Sequence, residues 1–266
     1  MPTLNDVTAA LRKIAPLELA ASWDAVGLLV GSRRSGCQRV MTCLTLTAEV
    51  ADEAARQQAD LVVTHHPLPF RPVARITDDT PYGRTLLTLL SAGVAVWSSH
   101  TAWDSAVGGI NDQLATLLGL GNVRPIQPHP DMPTAGTGRM GAASEAVSVG
   151  QLASRLAAAL RCPGSHVAGD ASRPAGTVGI VCGSGGEMLG ELIAAGCDTL
   201  VTGEVRLHTA AEAIASGLAV IAVGHHASEH FSMAALARRL EAEVAGLASW
   251  ASRCERDPLA WMPAEA

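Results

Sequence analysis

The sequence predicts an α/β fold of two related lobes, each with a mostly parallel sheet covered by helices. Short apolar, β-branched runs alternate with Ala-rich amphipathic stretches, as in successive β–α–β units. Residues 40–104 and 178–229 also repeat one another, because each stretch has the order strand, helix, strand, helix, strand. The apolar runs are continuous, which is typical of parallel strands that are buried on both faces.

The two copies of the repeat agree at particular positions. In the first copy, Asp60 precedes one apolar run and Gly93 leads the next; in the second copy, Asp198 and Gly217 hold the equivalent places. Each run is short enough for a buried strand and is bounded by residues that favour turns. The repeat therefore predicts three consecutive strands in each lobe.

The remaining elements follow from helix spacing and turn composition. Residues 4–14 and 228–247 are predicted to be helices that cover a sheet face, and residues 148–161 form a third, with Ser148 as its N-cap. Residues 125–145 are rich in Pro, Gly, Thr and Ser, which predicts a connecting loop.

The domain boundaries are placed from this pattern. Residues 1–125 are predicted to form the first lobe and residues 126–215 the second. Residues 216–266 are predicted to be a strand–helix segment that returns to complete the functional site. Both lobes are long enough to bury a core of their own.

Composition excludes several classes of protein. With 266 residues, 48% of them hydrophobic and 17% charged, the chain is neither disordered nor a stapled miniprotein. The net charge of −6 and the single lysine, Lys13, give no nucleic-acid signature. No long apolar span or signal peptide is evident, and the six cysteines form no CxxC pair, so we expect a cytoplasmic protein that does not bind a membrane. Since no nucleic-acid signature is present, we expect its substrate to be a small molecule.

Most of the nine histidines are placed where an α/β sheet binds ligands. Seven fall at or just after predicted strand ends: His65, His66, His100, His208, His225, His226 and His230. Ligands bind outside the carboxyl ends of the strands in open α/β sheets. His65 and His66 end one strand before Pro67, so their rings can point in different directions.

Two pairs with the same spacing strengthen this interpretation. His100 precedes Asp104 by four residues, and His225 precedes Glu229 by four residues in the matching part of the second copy. Residues four apart share one face of a helical turn. An isolated histidine at a strand end is more often a hydrogen-bonded packing residue, but the repeated pattern favours a metal. Imidazole and carboxylate ligands suit Zn, Mn, Fe, Co or Ni better than Ca.

Six segments together resemble one known family in order over nearly the whole chain. They are SWDAVGLLVG (22–31), VVTHHPLPF (62–70), SHTAWDSAVGGINDQLA (99–115), GTGRMG (136–141), DTLVTGEVRLH (198–208) and GHHASE (224–229). This pattern is similar to the NIF-three-like family, whose members are often named GTP cyclohydrolase I type 2 homologues. The resemblance implies two interlinked α/β lobes, two divalent metal ions per chain in the cleft between the lobes, and a homohexamer. The implied metal ligands are His65, His66, Asp104, His225 and Glu229, with Glu229 bridging the metals.

Other residues receive catalytic or supporting roles. His100 is expected to orient Asp104 or contact substrate, and Glu204 and His208 are candidates for acid or base catalysis or are a surface pair. This chain has Trp103 where the family commonly has Leu, and His226 where it has Tyr. His226 could supply an extra metal ligand or a proton donor, but a surface substitution without a functional role is the favoured interpretation.

The WD motif and a glycine-rich loop each have both a structural and a functional interpretation. Trp23 and Asp24 match the family's WD motif, and they line the cleft or cap a helix. The glycine-rich loop at residues 183–187 is first a tight turn and second a phosphate-binding loop.

The leading hypothesis is a dinuclear divalent-metal-dependent hydrolase. Its substrate is expected to be a small molecule: a nucleotide such as GTP, opened at the purine ring by metal-activated water, or a phosphoester. The alternative is a non-catalytic protein that binds or delivers metal or acts as an adaptor, since the same ligands serve either purpose.

Overall fold

The computed structural model describes residues 1–31, 36–143 and 147–262. Two short 3-10 helices span Leu17–Leu19 and Gly185–Met188. The α-helices are α1 (Leu4–Ile14), α2 (Ala48–Arg56), α3 (Pro81–Ala92), α4 (His100–Ser105), α5 (Ile110–Leu117), α6 (Val149–Leu160), α7 (Leu189–Ala194), α8 (Leu207–Ala215) and α9 (His225–Glu243). The strands are β1 (Gly27–Val30), β2 (Arg39–Cys43), β3 (Leu61–Thr64), β4 (Ala95–Ser98), β5 (Gly121–Arg124), β6 (Gln127–His129), β7 (Met132–Thr137), β8 (Arg139–Ala142), β9 (His166–Ala168), β10 (Thr177–Val181), β11 (Thr199–Thr202), β12 (Ala219–Ala222) and β13 (Ala248–Ala251).

The first compact unit comprises Met1–Ala106 and Ser232–Arg256. Its five-stranded sheet has the order β1-β4-β3-β2-β13, and every pairing is parallel except that of the edge strand β1. The register pairs Cys43 with Thr64 and Thr64 with Ser98. The last residues of β2, β3 and β4 therefore lie side by side, and the chain leaves all three strands at the same edge of the sheet.

The second compact unit comprises Val107–Phe231 and Asp257–Ala266. Its six-stranded sheet has the order β5-β8-β10-β11-β12-β9, with β10, β11 and β12 parallel and the outer strands antiparallel. The register pairs Val181 with Thr202 and Thr202 with Ala222. The carboxyl ends of the three parallel strands are again aligned.

These arrangements confirm the predicted α/β class, with parallel strands at the centre of each sheet. Each copy of the repeat folds as strand, helix, strand, helix, strand, with β2, β3 and β4 in one unit and β10, β11 and β12 in the other. The chain also returns from the second unit to the first at Ser232, within α9, so the two units are interlinked along the sequence.

The acidic residue that opens the central strand has the same structural role in both copies. The Asp60 carboxylate accepts hydrogen bonds from the backbone N–H groups of Gln38 and Arg39, at the start of the neighbouring strand β2. The Asp198 carboxylate likewise accepts one from the backbone N–H of Thr177, the first residue of β10. Each aspartate ties the beginning of its strand to the strand before it, which fixes the register.

The composition of the segment 125–145 predicted a connecting loop, and this prediction is wrong. The segment contains the three strands β6, β7 and β8. Its glycines are needed for close approach of the strands rather than for a flexible connection. Gly136 has φ of +143°, and a Cβ there would lie 2.1 Å from the Gln127 carbonyl oxygen. Residues 144 and 145 of the predicted loop lie outside the described residues.

Arg139 gives the GTGRMG motif its structural role. Its side chain is buried, it forms an ion pair with Asp112, and its Nη1 atom donates to the carbonyl oxygens of Gly136 and Gly138 at 2.8 Å each. A buried guanidinium needs partners for its several N–H groups, and this turn supplies them. The motif therefore holds the junction between β7 and β8.

The predicted helices are found with small shifts. Helix α1 has the predicted bounds, and Ser148 caps α6 in a reciprocal capping box with Gln151. Helix α9 begins three residues before the predicted start at Ser228 and ends four residues before Leu247. No helix in the described ranges is long and apolar enough to cross a membrane.

A buried carboxylate anchors the segment after β13. Glu53 on α2 is only 4% exposed, and it accepts hydrogen bonds from the Ser252 hydroxyl at 2.6 Å and the Arg253 backbone N–H at 3.0 Å. Burial opposes its ionisation, but hydrogen bonds from Cys254, Ser252 and Arg253 outweigh burial and hold the pKa of Glu53 below its ordinary value of 4.5.

We expect the substitution Glu53→Gln to lower the free energy of unfolding at neutral pH by about 2 kcal/mol, because it replaces a charged acceptor. The folded-state pKa is below the unfolded value, so the charged group stabilises the fold above pH 4.5 and this contribution is lost as the pH falls through the lowered pKa. Urea unfolding from about pH 7 to pH 3 should therefore show a weaker acid dependence in the variant.

The matched control is Asp52→Asn, which removes an exposed carboxylate from the same helix. It should leave both the stability and its acid dependence close to those of the wild type. Equal effects of the two substitutions would contradict the anchoring role of Glu53.

Candidate metal centre

Three imidazoles gather where the parallel strands of the first unit end. His65 and His66 follow β3, and His100 follows β4 and begins α4. Each offers one ring nitrogen, and these three atoms lie within 4.8 Å of one another. The ring centroids are 5.1 Å apart for His65 and His66, 5.1 Å for His65 and His100, and 5.6 Å for His66 and His100. We call His65, His66 and His100 the imidazole cluster.

The backbone before the cluster is fixed by hydroxyl groups at the strand ends. The buried Thr64 hydroxyl donates to the His66 carbonyl oxygen at 3.0 Å, and the buried Ser98 hydroxyl donates to the His65 carbonyl oxygen at 2.8 Å. Both bonds join backbone that has just left the sheet ladder. The two adjacent histidines are therefore held in a defined conformation although they belong to no regular element.

Two of the rings are oriented through Nδ1. His66 Nδ1 lies 2.8 Å from the Thr45 hydroxyl, and His100 Nδ1 lies 2.7 Å from Asp24 Oδ1. When Nδ1 carries the proton and donates it to such an acceptor, Nε2 is the atom that coordinates a cation. Sequence reasoning missed Thr45, whose signal was its position two residues after the end of β2, at the same edge as the histidines.

Asp24 caps a helix, which is one of the two interpretations of its motif, and it also orients the ring of His100. Its side chain is fully buried and also accepts from the Thr101 backbone N–H at 3.1 Å, in the first turn of α4. Burial disfavours the carboxylate, but hydrogen bonds from His100 and Thr101 prevail and hold the pKa of Asp24 below its ordinary value. His100 itself has φ of +21°, an uncommon value for a non-glycine residue that these bonds help to maintain.

Asp104 brings a carboxylate to the imidazole cluster. It lies on α4, four residues after His100, and its Oδ1 atom is 3.7 Å from His65 Nε2. The neighbouring Trp103 is buried, and its indole N–H donates to the Ser232 hydroxyl at 3.0 Å. Trp103 is thus a core residue that anchors the short helix carrying Asp104.

The second unit holds another cluster, formed by His225, Glu229 and Glu204. His225 Nε2 lies 3.2 Å from Glu229 Oε2, and His225 Nδ1 lies 3.2 Å from Glu204 Oε1. The hydrogen bond to Glu229 is the largest cause that raises the pKa of His225 to about 9; burial opposes it, and Glu204 adds to it. The predicted spacing of four residues therefore brings His225 and Glu229 together on α9.

Glycine is required next to this cluster. Gly183 has φ of +62°, and a Cβ there would lie 2.3 Å from Glu229 Oε1. Its backbone N–H donates to the Ser228 hydroxyl at 3.0 Å, and the Gly185 N–H donates to the Thr202 hydroxyl at 3.0 Å. The loop at residues 183–187 is thus a tight turn that makes room for Glu229, and these two N–H groups are used within the protein.

His208, Glu204 and His226 have different surroundings in the structure. His208 is exposed on α8, and within the described residues it joins neither group. Glu204 contacts His225, so its observed role is to orient that ring; the predicted catalytic roles of Glu204 and His208 stay predictions. His226 stacks on His230, with ring centroids 4.5 Å apart.

The donors of the imidazole cluster fit a divalent cation. Imidazole nitrogens with a nearby carboxylate oxygen are suited to Zn, Mn, Fe, Co or Ni. His65 is only 2% exposed, so part of the cluster is shielded from water. The histidine cluster could therefore hold a metal ion.

We expect the substitution Asp24→Asn to weaken divalent-cation binding by about tenfold to a hundredfold, because His100 loses the carboxylate that orients it. The measurement is titration of the metal-depleted protein with Co²⁺, followed by its visible absorption. The control is Asp6→Asn, which alters another helix-capping carboxylate, in the capping box of α1. Equal Co²⁺ affinities of wild type and Asp24→Asn would show that Asp24 has no part in cation binding.

Known proteins that are similar to this chain identify its family. A family model described as Duf34/NIF3 (NGG1p interacting factor 3) matches residues 2–258. A Streptomyces coelicolor protein named GTP cyclohydrolase 1 type 2 homolog is 38% identical over 234 residues, which are 86% of this chain and 82% of that protein. A Clostridium perfringens protein of the same name is 34% identical over 226 residues, 85% of this chain and 86% of the relative. The crystal structure of a Bacillus cereus protein related to NIF3 has the same fold, with a TM-score of 0.91 at 22% identity over 98% of this chain and 99% of that chain. The chain therefore belongs to the Duf34/NIF3 family.

Proposed function

We propose that this chain is a dinuclear divalent-metal-dependent hydrolase. The observation that carries the proposal is the convergence of three ring nitrogens within 4.8 Å in the imidazole cluster, at the sheet edge where α/β proteins bind ligands. The proposed ligands are the five that the family resemblance implies, His65, His66, Asp104, His225 and Glu229, together with His100, whose ring nitrogen belongs to the imidazole cluster. That both metal ions lie in a cleft between the lobes stays a prediction.

The proposed substrate is a purine nucleotide such as GTP, with a phosphoester as the second candidate. Relatives from Clostridium perfringens and Streptomyces coelicolor bear the name GTP cyclohydrolase 1 type 2 homolog. The name supports hydrolytic opening of a purine ring as the reaction to test first. Phosphoester hydrolysis needs the same cation chemistry.

The residues of the chain have separable roles in such a reaction. Bound divalent ions supply Lewis acidity, which polarises the bond under attack and makes water more acidic. Thr45, Asp24 and Glu204 hold the rings of His66, His100 and His225, so that no reorientation is needed when substrate arrives. This pre-organisation is the contribution of the protein itself.

The test is elemental analysis of the metal-exchanged protein beside its His65→Ala and Glu229→Ala variants, with hydrolysis of GTP and a phosphoester panel assayed on the same samples. We expect two divalent ions per wild-type chain, and loss of bound metal and of hydrolysis in both variants. His129→Ala is the matched control, because His129 lies on β6 and belongs to neither cluster.

Two outcomes of this experiment would contradict the proposal. Metal bound in full without turnover of any substrate would contradict the hydrolase and favour metal storage, metal delivery or an adaptor. A folded wild type that binds none of Zn, Mn, Fe, Co and Ni would overturn the metal centre itself.

We also propose a homohexameric assembly, which the family resemblance implies. Light scattering after size exclusion should give six times the mass of one chain. A mass of one or two chains at micromolar concentration would contradict it.

A cytoplasmic location is proposed as well. All six cysteines lie within the described residues, and the structure forms no disulfide among them. Thiols that stay reduced are typical of a reducing compartment. Fractionation of cells that produce the protein would test the location.

A further inference from the structure

We propose, on the basis of the proposed function, that Trp23 and Phe70 form a stacking surface that binds a planar heteroaromatic ring of the substrate beside the imidazole cluster. We call Trp23 and Phe70 the aromatic pair. A ring of this class includes a nucleobase, whereas a phosphoester without a ring would gain nothing from it. The aromatic pair would thus decide between the two candidate substrates.

The exposure of the pair is the first observation. Trp23 is 65% exposed and Phe70 is 50% exposed, although the chain has only five Trp, two Phe and one Tyr in 266 residues. Leaving large apolar surface in water gives up the free energy that burial would bring. Single exposed apolar residues are ordinary on a protein surface. Two adjacent exposed aromatic rings beside a candidate metal centre instead form a small apolar patch, and such patches are typical of binding sites.

The position of the pair is the second observation. The ring centroids of Trp23 and Phe70 are 6.4 Å apart. Trp23 lies 6.0 Å from the His100 ring, and Phe70 lies 6.2 Å from it, both in edge-to-face geometry. The two aromatic rings therefore border the same member of the imidazole cluster.

The faces of the indole rings provide the third observation. Arginine side chains lie over the rings of Trp97, Trp103 and Trp250, and Trp261 is stacked with His166. Within the described residues, Trp23 is the only tryptophan with neither a cation over its ring nor a stacked ring partner. Its contacts are the tilted one with Phe70 and the edge-to-face one with His100. An aromatic face in this state is suited to stack on a planar ring.

The pair is also linked to the cluster through short stretches of chain. Trp23 directly precedes Asp24, whose fully buried carboxylate is bonded to His100 and Thr101. Phe70 follows His66 by four residues in the irregular segment after β3. A ring stacked on the pair would therefore lie beside the imidazoles, as a reaction on that ring requires.

The experiment measures equilibrium binding of guanosine and of ribose 5-phosphate by calorimetry, with both metal-loaded and metal-depleted protein. Guanosine presents a planar ring without a phosphate, and ribose 5-phosphate presents a phosphoester without a planar ring. The variants are Trp23→Leu, Phe70→Leu and Trp23→Phe, which keeps an aromatic ring. The control is Trp261→Leu, which removes an indole that is 52% exposed and stacked on His166.

We expect Trp23→Leu to weaken guanosine binding about tenfold or more and Phe70→Leu to weaken it several-fold, because each removes a stacking face. Trp23→Phe should retain most of the affinity, and Trp261→Leu should retain all of it. Binding of ribose 5-phosphate should be the same in every variant.

Two results would overturn the inference. One is the absence of saturable guanosine binding by the wild type at millimolar concentration; the other is equal guanosine affinity in wild type and Trp23→Leu. Guanosine binding that depends on Trp23 in a protein without hydrolytic activity would refute the proposed function and leave the stacking surface standing. Hydrolysis of GTP with a kcat/KM that is unaffected by Trp23→Leu would support the proposed function and refute the stacking surface.

Discussion

Three parallel strands that end in register are the constraint on which each candidate cluster depends. In the first unit, Cys43, Thr64 and Ser98 are neighbours across the sheet, so the residues that follow them are brought to one place. Thr45 can reach His66 only because β2 and β3 end at the same level. A slip of one residue would turn each side chain to the opposite face of the sheet. The backbone hydrogen bonds of a buried parallel sheet, rather than any contact among the histidines, thus set the position of the imidazoles.

The ring orientations add a second layer of order to this scaffold. His66, His100 and His225 each engage a protein oxygen through Nδ1. These oxygens belong to a hydroxyl, a buried carboxylate and an exposed carboxylate, so no single residue type defines the pattern. What the three share is the outcome: a ring whose Nε2 atom has a defined direction before any cation binds. Such an arrangement lowers the conformational entropy lost on binding.

The two copies of the repeat use one scaffold for different purposes. The strand end that carries His65 and His66 in the first copy carries Gly203 and Glu204 in the second. Next to it, the second copy has Gly183, since only a residue without a Cβ leaves room for the Glu229 carboxylate. The first copy thus offers mainly imidazole nitrogens, and the second offers more carboxylate oxygens. A repeat that keeps its register can change its chemistry by substituting only the residues just beyond the strands.

The sequence was sufficient to predict the alternating fold, the repeat, the parallel strands and the gathering of histidines at strand ends, because these follow from hydrophobic periodicity and from the chain order of a β–α–β unit. It also predicted that His225 and Glu229 would meet, since residues four apart share a helical face. Tertiary structure alone decided that Asp24 holds His100, 76 residues away, and that residues 125–145 form strands. Contacts between distant segments and strands rich in glycine leave no periodic signal, because they depend on which backbones come close after folding.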